Sequence, residues 1–238
     1  MTCRVGTLLL VWAAMVCAAV SSCTPGYAEN VTPRFNPANF AGHAIDNPYF
    51  PLAPGTTFLY EGETDGVPAS NVTQVTHDVK LVAGVGCVVV RDLGFENGST
   101  LVEETFDWYA QDKFGNVWYL GEDATEYPSG SKEGSWEAGV NGALPGLIME
   151  ARPRVGDRYS QELAVGVAQD MAMVLSLNKA LTISLGRFDD LLLTREWSPL
   201  DKGVTEHKYY ARGVGFIYGV MVKGGSEYTK LVEIIPGP

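Results

Sequence analysis

From residue 55 onward the apolar positions come in short alternating runs broken by glycine, proline or asparagine. TTFLYEG alternates into a first strand, and NVTQVTHDVKLV (71–82) sets Val72, Val75, Val79 and Leu81 imperfectly against polar neighbours. CVVVRDLGF follows a turn region at Gly84–Gly86. LVEETFDWYAQ and NVWYLGE flank Asp112-Lys113-Phe114-Gly115, four residues that suit a hairpin turn with Gly115 at positive φ. Further on, RFDDLLLTREW, VTEHKYYA, GFIYGVMVKG and EYTKLVEII are rich in Val, Ile, Tyr and Thr and are again separated by Gly or Pro. A period of two in runs of this length predicts strands. The fold class that follows is all-β: a single antiparallel β domain over 48–238, built as a strongly curved sheet, a half-open barrel or a sandwich.

Two stretches break the rhythm. AVGVAQDMAMVLSLNKAL partly fits a helical period through Met171, Val174, Leu175 and Leu177, but it contains Gly166 and has no clean N-cap. It reads as strand–turn–strand, with a helical turn near 169–176 as the alternative. The span 134–157, GSWEAGVNGALPGLIMEARPRVGD, holds five Gly and two Pro and predicts a long irregular loop.

The first residues follow a different pattern. Arg4 precedes an apolar run from Leu8 to Val20, and small residues follow. That is the layout of a secretory signal, 1–22, too short for a membrane span. Val20-Ser21-Ser22-Cys23 resembles a bacterial lipobox, which makes Cys23 the candidate for lipidation; cleavage after Ala28 is the competing reading, with release. Residues 24–47, with Pro25, Pro33 and Pro37, read as an extended leader long enough to hold a domain off a membrane.

Charge and cysteines narrow the picture. The net charge is −11, and losing Arg4 with the signal makes it −12. That balance argues against nucleic acid and against electrostatic docking on anionic lipid, so membrane attachment would come through an acyl anchor rather than a transmembrane helix. Between Glu103 and Glu137 nine carboxylates face two lysines, a string that a solvated rim of hairpins would explain. Cys3 and Cys17 leave with the signal, so with Cys23 acylated or removed Cys87 in GVGCVVVR has no partner and reads as a buried thiol.

Catalytic and metal signatures are absent from the sequence. No GxSxG, HExxH, CxxC, Walker or dinucleotide motif occurs. His43, His77 and His207 stand far apart, which gives no zinc spacing, and Asp107, Asp112, Asn116, Glu122 and Asp123 do not follow the EF-hand order. Glu103 and Glu104, like Asp189 and Asp190, are neighbours that a regular strand points to opposite faces, which prevents their acting as a hydrolytic pair. The reading is therefore no cofactor, no metal and no catalytic residue.

The aromatic inventory says more. Trp108, Tyr109, Trp118, Tyr119 and Trp136, together with Arg195, sit in or beside acidic blocks, and aromatic walls with a few polar groups suit sugars, amphipathic lipids or cationic ligands. These six are the candidate ligand-binding residues; strand packing between sheets is the alternative for each Trp.

PYFPLAPGTTFLYEG, DWYAQDKFGNVWYLGED, GSWEAGVNGALPGLIM, TREWSPL and EHKYYARGVG resemble the signature blocks of an uncharacterised family of exported bacterial β-rich proteins, over nearly all of 47–233. The chain departs from that pattern at Ser184-Leu185-Gly186, where a Pro would precede the Gly-x-Phe turn. At the level of architecture it also resembles periplasmic carriers of lipids and lipoproteins. The resemblance implies an envelope or secreted β-rich protein and brings no catalytic residue or substrate with it. Taken with the signal, Cys23 and the aromatic inventory, the reading is an exported, membrane-anchored, non-catalytic envelope protein that binds an apolar or amphipathic ligand in a β-sheet concavity. The alternatives are a structural or protein-interaction module that uses the acidic hairpin and, more distantly, a hydrolase. The sequence leaves the oligomeric state open.

Overall fold

The computed structural model describes residues 30, 32–40, 42 and 44–237. The signal, Cys23, the cleavage point at Ala28 and His43 lie outside the described residues.

Each alternating run forms a strand. In chain order these are β1 (Thr57–Thr64), β2 (Val67–Val82), β3 (Val85–Glu96), β4 (Thr100–Gln111) and β5 (Val117–Glu126). There follow the short β6 (Trp136–Glu137), β7 (Gly146–Met149) and β8 (Arg158–Ser160), and then β9 (Met171–Ile183), β10 (Gly186–Trp197), β11 (Thr205–Ala211), β12 (Gly215–Lys223) and β13 (Glu227–Ile235). All belong to one antiparallel sheet in the order β6-β5-β4-β3-β2-β1-β13-β12-β11-β10-β9-β8, with β7 paired to β5. The sheet curves without closing. The all-β reading therefore holds.

Alternation decides which side chains turn inward. In β9 the burial alternates along Ala172, Val174 and Ser176, so the stretch that offered a helical alternative is extended, after a turn at 165–167 between Ala164 and Ala168. The core is made by residues such as Val75, Leu120, Leu147, Met149, Tyr159, Leu191, Leu192, Ile217 and Leu231, all fully buried. Cys87 joins them as a free, buried thiol, and burial pushes its pKa up to about 12.

The span 134–157 differs from its sequence reading, because it contains β6 and β7, whose side chains Trp136, Leu147, Ile148 and Met149 are buried. Two close approaches let these short strands dock. Gly121 has φ 137°, and a Cβ there would stand 2.3 Å from the carbonyl oxygen of Trp136. A Cβ on Gly146 would stand 1.8 Å from the carbonyl oxygen of Gln161. Only glycine tolerates either contact.

The described part of the leader is not a free stalk. Phe35 and Phe40 pack edge-on against Trp118 with ring centroids 5.3 and 6.2 Å away, and Asn39 accepts a hydrogen bond from the Lys113 amide. Further back, Asn30 bridges to Arg158, and Thr32 Oγ1 accepts from the Ser160 amide at 3.0 Å.

Candidate functional site

Inside the curve of the sheet lies a cavity of about 110 Å³. Its apolar wall comes from Phe50, Leu52, Phe58, Val90, Ile148 and Phe216, and four tyrosines, Tyr60, Tyr109, Tyr119 and Tyr210, stand among them. Tyr109 and Tyr119 are cross-strand partners on β4 and β5 and stack with centroids 4.7 Å apart. Among the described residues that line the cavity there are five carboxyl side chains, Asp92, Asp107, Glu162, Asp170 and Glu196, and one basic one, Lys208.

The cavity has two poles. At one, Lys208 Nζ lies 2.8 Å from Glu196 Oε2 and 3.5 Å from Glu206 Oε2, and Tyr210 donates to Glu196 Oε1 at 3.0 Å. Burial disfavours the lysine's charge, but Glu196 and Glu206 outweigh it and hold its pKa above the ordinary value. This cation is fully engaged.

The other pole has no basic side chain at hydrogen-bond distance. Asp107 and Glu122 are directly opposed on β4 and β5, an arrangement that repels if both are ionised. Both are buried, at 0% and 1% exposure; Asp107 lines this cavity together with Glu162, itself 3% exposed, whereas Glu122 lines the neighbouring outer cleft. Tyr119 donates its hydroxyl to Asp107 Oδ1 at 2.5 Å, while Asp107 Oδ2, Glu162 Oε2 and both carboxyl oxygens of Glu122 have no hydrogen-bond partner. Asp92 fares better, accepting from the Asn71 side chain and from Thr73 Oγ1.

Burial is the largest cause of shifted protonation throughout. It lifts Asp107 well above the carboxylate range, helped by the charge of Asp92 and opposed by the Tyr119 hydrogen bond. It lifts Glu122, with Glu162 and Asp107 adding repulsion, and Glu162, with Asp170 adding more. Asp92 rises to about 6 against its hydrogen bonds from Asn71 and Thr73. Asp170 rises to about 7 although Lys208 and a hydrogen bond to Ser198 oppose the shift.

Of the six residues singled out from the sequence, Tyr109 and Tyr119 line this cavity. Trp108 and Trp136 line a shallower outer cleft with Lys80 and Glu122, where Lys80 Nζ stands 3.1 Å above the Trp108 ring and 2.8 Å from Glu137 Oε2. Trp118 lies at neither place: it sits under Phe35 and Phe40, and its Nε1 donates to Asp112 Oδ2 at 2.9 Å. Arg195 stacks on Trp197, 4.5 Å from its ring, away from both. Asp112 is a turn residue, accepting from the amides of Phe114 and Asn116. Glu104 pairs with Arg91 at 2.6 Å, and Asp189 pairs with Arg187. Among the described residues no group of three or more His, Cys, Asp or Glu side chains is arranged to hold a metal ion, and no helix is long and apolar enough to cross a membrane.

Sequence reasoning did not pick out Glu162, Asp170, Glu196 or Lys208. One signal was present: Glu206, Lys208 and Tyr210 share the parity of β11, as Thr194 and Glu196 do on β10, so ionisable side chains recur on the face that carries Leu192 and Tyr210. Glu162 lies on the loop before β9 and carries no such mark.

These features define an all-β protein with an open, curved sheet and a partly polar internal cavity. No family model matches the chain, and no curated protein matches it. Two solved structures do. One, from Bacteroides fragilis NCTC 9343, is described as an exported protein with a YMCC-like fold; it shares 14% identity over 79% of this chain and 99% of its own, with a TM-score of 0.47. The other, from Parabacteroides distasonis ATCC 8503, is described as a lipoprotein; it shares 13% identity over 79% and 99%, with a TM-score of 0.44.

Proposed function

We propose that this chain is an exported, acyl-anchored envelope protein that binds an amphipathic small molecule inside its curved sheet and performs no catalysis on it. The observation that carries the reading is the cavity itself: an aromatic and aliphatic wall interrupted by buried polar atoms that no protein group satisfies. Buried polar groups are almost always hydrogen-bonded, and convergent unsatisfied ones in an apolar pocket mark a place where something else supplies the partner. Export and anchoring rest on the signal-like first residues and on Cys23.

The interaction-module reading depends on a solvated acidic hairpin, yet Asp107, Asp112 and Glu122 of that string are buried. Hydrolysis by two carboxyl groups needs one neutral acid and one ionised base whose environments drive them apart. Here Asp107, Glu122 and Glu162 are all pushed toward the neutral form.

The test is mass spectrometry of an organic extract from natively purified protein, alongside Val90→Phe, which fills the cavity wall. A bound amphipathic molecule should appear with the wild type and be depleted in the variant at unchanged far-UV circular dichroism. Equal recovery from both would remove the cavity from the reading. For the anchor, Cys23→Ala should move the protein from the membrane fraction to the soluble one.

A further inference from the structure

Resting on that reading of the cavity, we infer that the ligand's polar head is a protonated nitrogen that donates N–H hydrogen bonds: an alkylammonium or guanidinium group. The geometry sets three requirements, and this head group meets all of them.

First, the unsatisfied atoms are carboxyl oxygens, which accept once the group is ionised. Asp107 Oδ2 and Glu162 Oε2 belong to side chains more than nine-tenths buried, both line the cavity, and neither has a donor within the protein. Asp170, a partly exposed side chain, also places a buried Oδ1 without a donor in the lining. A carboxyl group stripped of water with no donor is costly, and a charge-assisted N–H···O bond is the strongest remedy available. A quaternary ammonium has no N–H to offer, and an alcohol has a single O–H.

Second, the lining can take up positive charge. It holds five carboxyl groups against one lysine among the described residues, and that lysine is already shared between Glu196 and Glu206. Burial holds Asp107 and Glu162 toward the neutral form, and an anionic head would oppose their ionisation further. A cation favours their ionisation and gains a charge-assisted partner.

Third, the walls suit a cation with an apolar body. Tyr109 and Tyr119 line the cavity, and Tyr119 donates to Asp107, so aromatic carbon that can cover methylene groups stands next to a carboxyl group that can take the cation. The volume, about 110 Å³, is somewhat smaller than the roughly 150 Å³ engineered cavity that takes up benzene. Scaled from the six carbons of benzene, that is room for about four or five non-hydrogen atoms, a head group with a short stem, so the remainder of a longer ligand would leave through the open side.

The experiment is isothermal titration of the full-length wild-type protein with n-pentylamine, 1-pentanol and tetramethylammonium at pH 7, alongside Asp107→Asn and Glu162→Gln, both near-isosteric. Pentylamine should bind at least tenfold more tightly than pentanol and more tightly than tetramethylammonium. Each variant should lose most of that preference while still binding pentanol as the wild type does. Pentanol binding as well as pentylamine would overturn the cationic head and leave the amphipath-binding cavity standing. If tetramethylammonium binds best, the N–H requirement fails. If none of the three binds, the cavity reading itself fails. The wild-type comparison decides the matter even if a variant does not fold.

Discussion

Raising the pH should destabilise this protein, in the opposite sense to ordinary acid denaturation. The cause is the set of carboxyl groups whose folded pKa lies above the unfolded one. An acid of this kind binds its proton more tightly when folded, so between the two pKa values the native state holds more protons than the unfolded chain. Stability therefore falls as pH rises through that window. The window opens near pH 4, where unfolded Asp and Glu titrate. It runs to about 6 for Asp92 and about 7 for Asp170, and further for Asp107, Glu122 and Glu162. Asp92 is 4% exposed and moves by about two units, which corresponds to about 3 kcal/mol lost between pH 4 and pH 7. The other acids add to this, although groups that repel one another do not contribute independently. His207 works the other way, because burial, Arg195 and Lys179 lower its pKa, but it is one partly exposed group. The assay is urea unfolding at pH 5, 6, 7 and 8. With a slope of about 2–3 kcal/mol per molar urea, the midpoint should drop by at least about 1 M across that range. Glu122→Gln should flatten the curve by removing one titrating acid and its repulsion of Asp107 and Glu162. A midpoint that stays level or climbs between pH 5 and pH 8 would mean that these acids do not hold their protons more tightly in the fold.

Three further outcomes follow from the packing. Trp118→Ala should cost about 3–5 kcal/mol in thermal or urea unfolding, because it removes a buried ring that Phe35 and Phe40 also rest on; Phe35→Ala should cost less, and equal stability of Trp118→Ala and wild type would contradict that role. Gly146→Ala should cost at least about 1–3 kcal/mol in the same assay, since its Cβ meets the carbonyl oxygen of Gln161, just after β8. Cys87 should resist a bulky thiol reagent in the native protein and react fully in denaturant, as a thiol at 0% exposure with a raised pKa must; fast native labelling would place it at the surface.

Much of the sheet was legible because strand parity is written directly in the residues. Runs such as TTFLYEG and NVWYLGE became β1 and β5, and the hairpin between β4 and β5 turns at Gly115 with φ 93°. The short β6 and β7 were not legible, since a two-residue and a four-residue strand are too brief to show a period and their docking depends on glycines that read as loop signals. The candidate site was half legible. Tyr109 and Tyr119 stood out by composition, whereas the placement of Asp107 and Glu122 inside the fold runs against the usual solvation of acids. Glu162 reaches the cavity only through tertiary contact between its loop and β7, which no local pattern encodes. Trp118 and Arg195 looked like pocket residues because aromatic and basic types suit both packing and binding, and only their neighbours distinguish the two.

The strand order has a consequence for how the chain acquires its shape. β1 through β5 form one meander and β9 through β13 another, each built from hairpins between consecutive strands. The two join where β1 meets β13, with Thr57 opposite Ile235 and Thr64 opposite Glu227, residues more than 160 positions apart. The centre of the finished sheet is therefore made by its first and last strands. During synthesis either meander can pair its own neighbours, but the seam cannot form until the final nine residues of β13 have been made. Closing so long a loop is entropically slow, which makes the β1–β13 junction the late step of folding. A chain shortened before Glu227 would keep two sets of hairpins without the strand pair that joins them in one sheet.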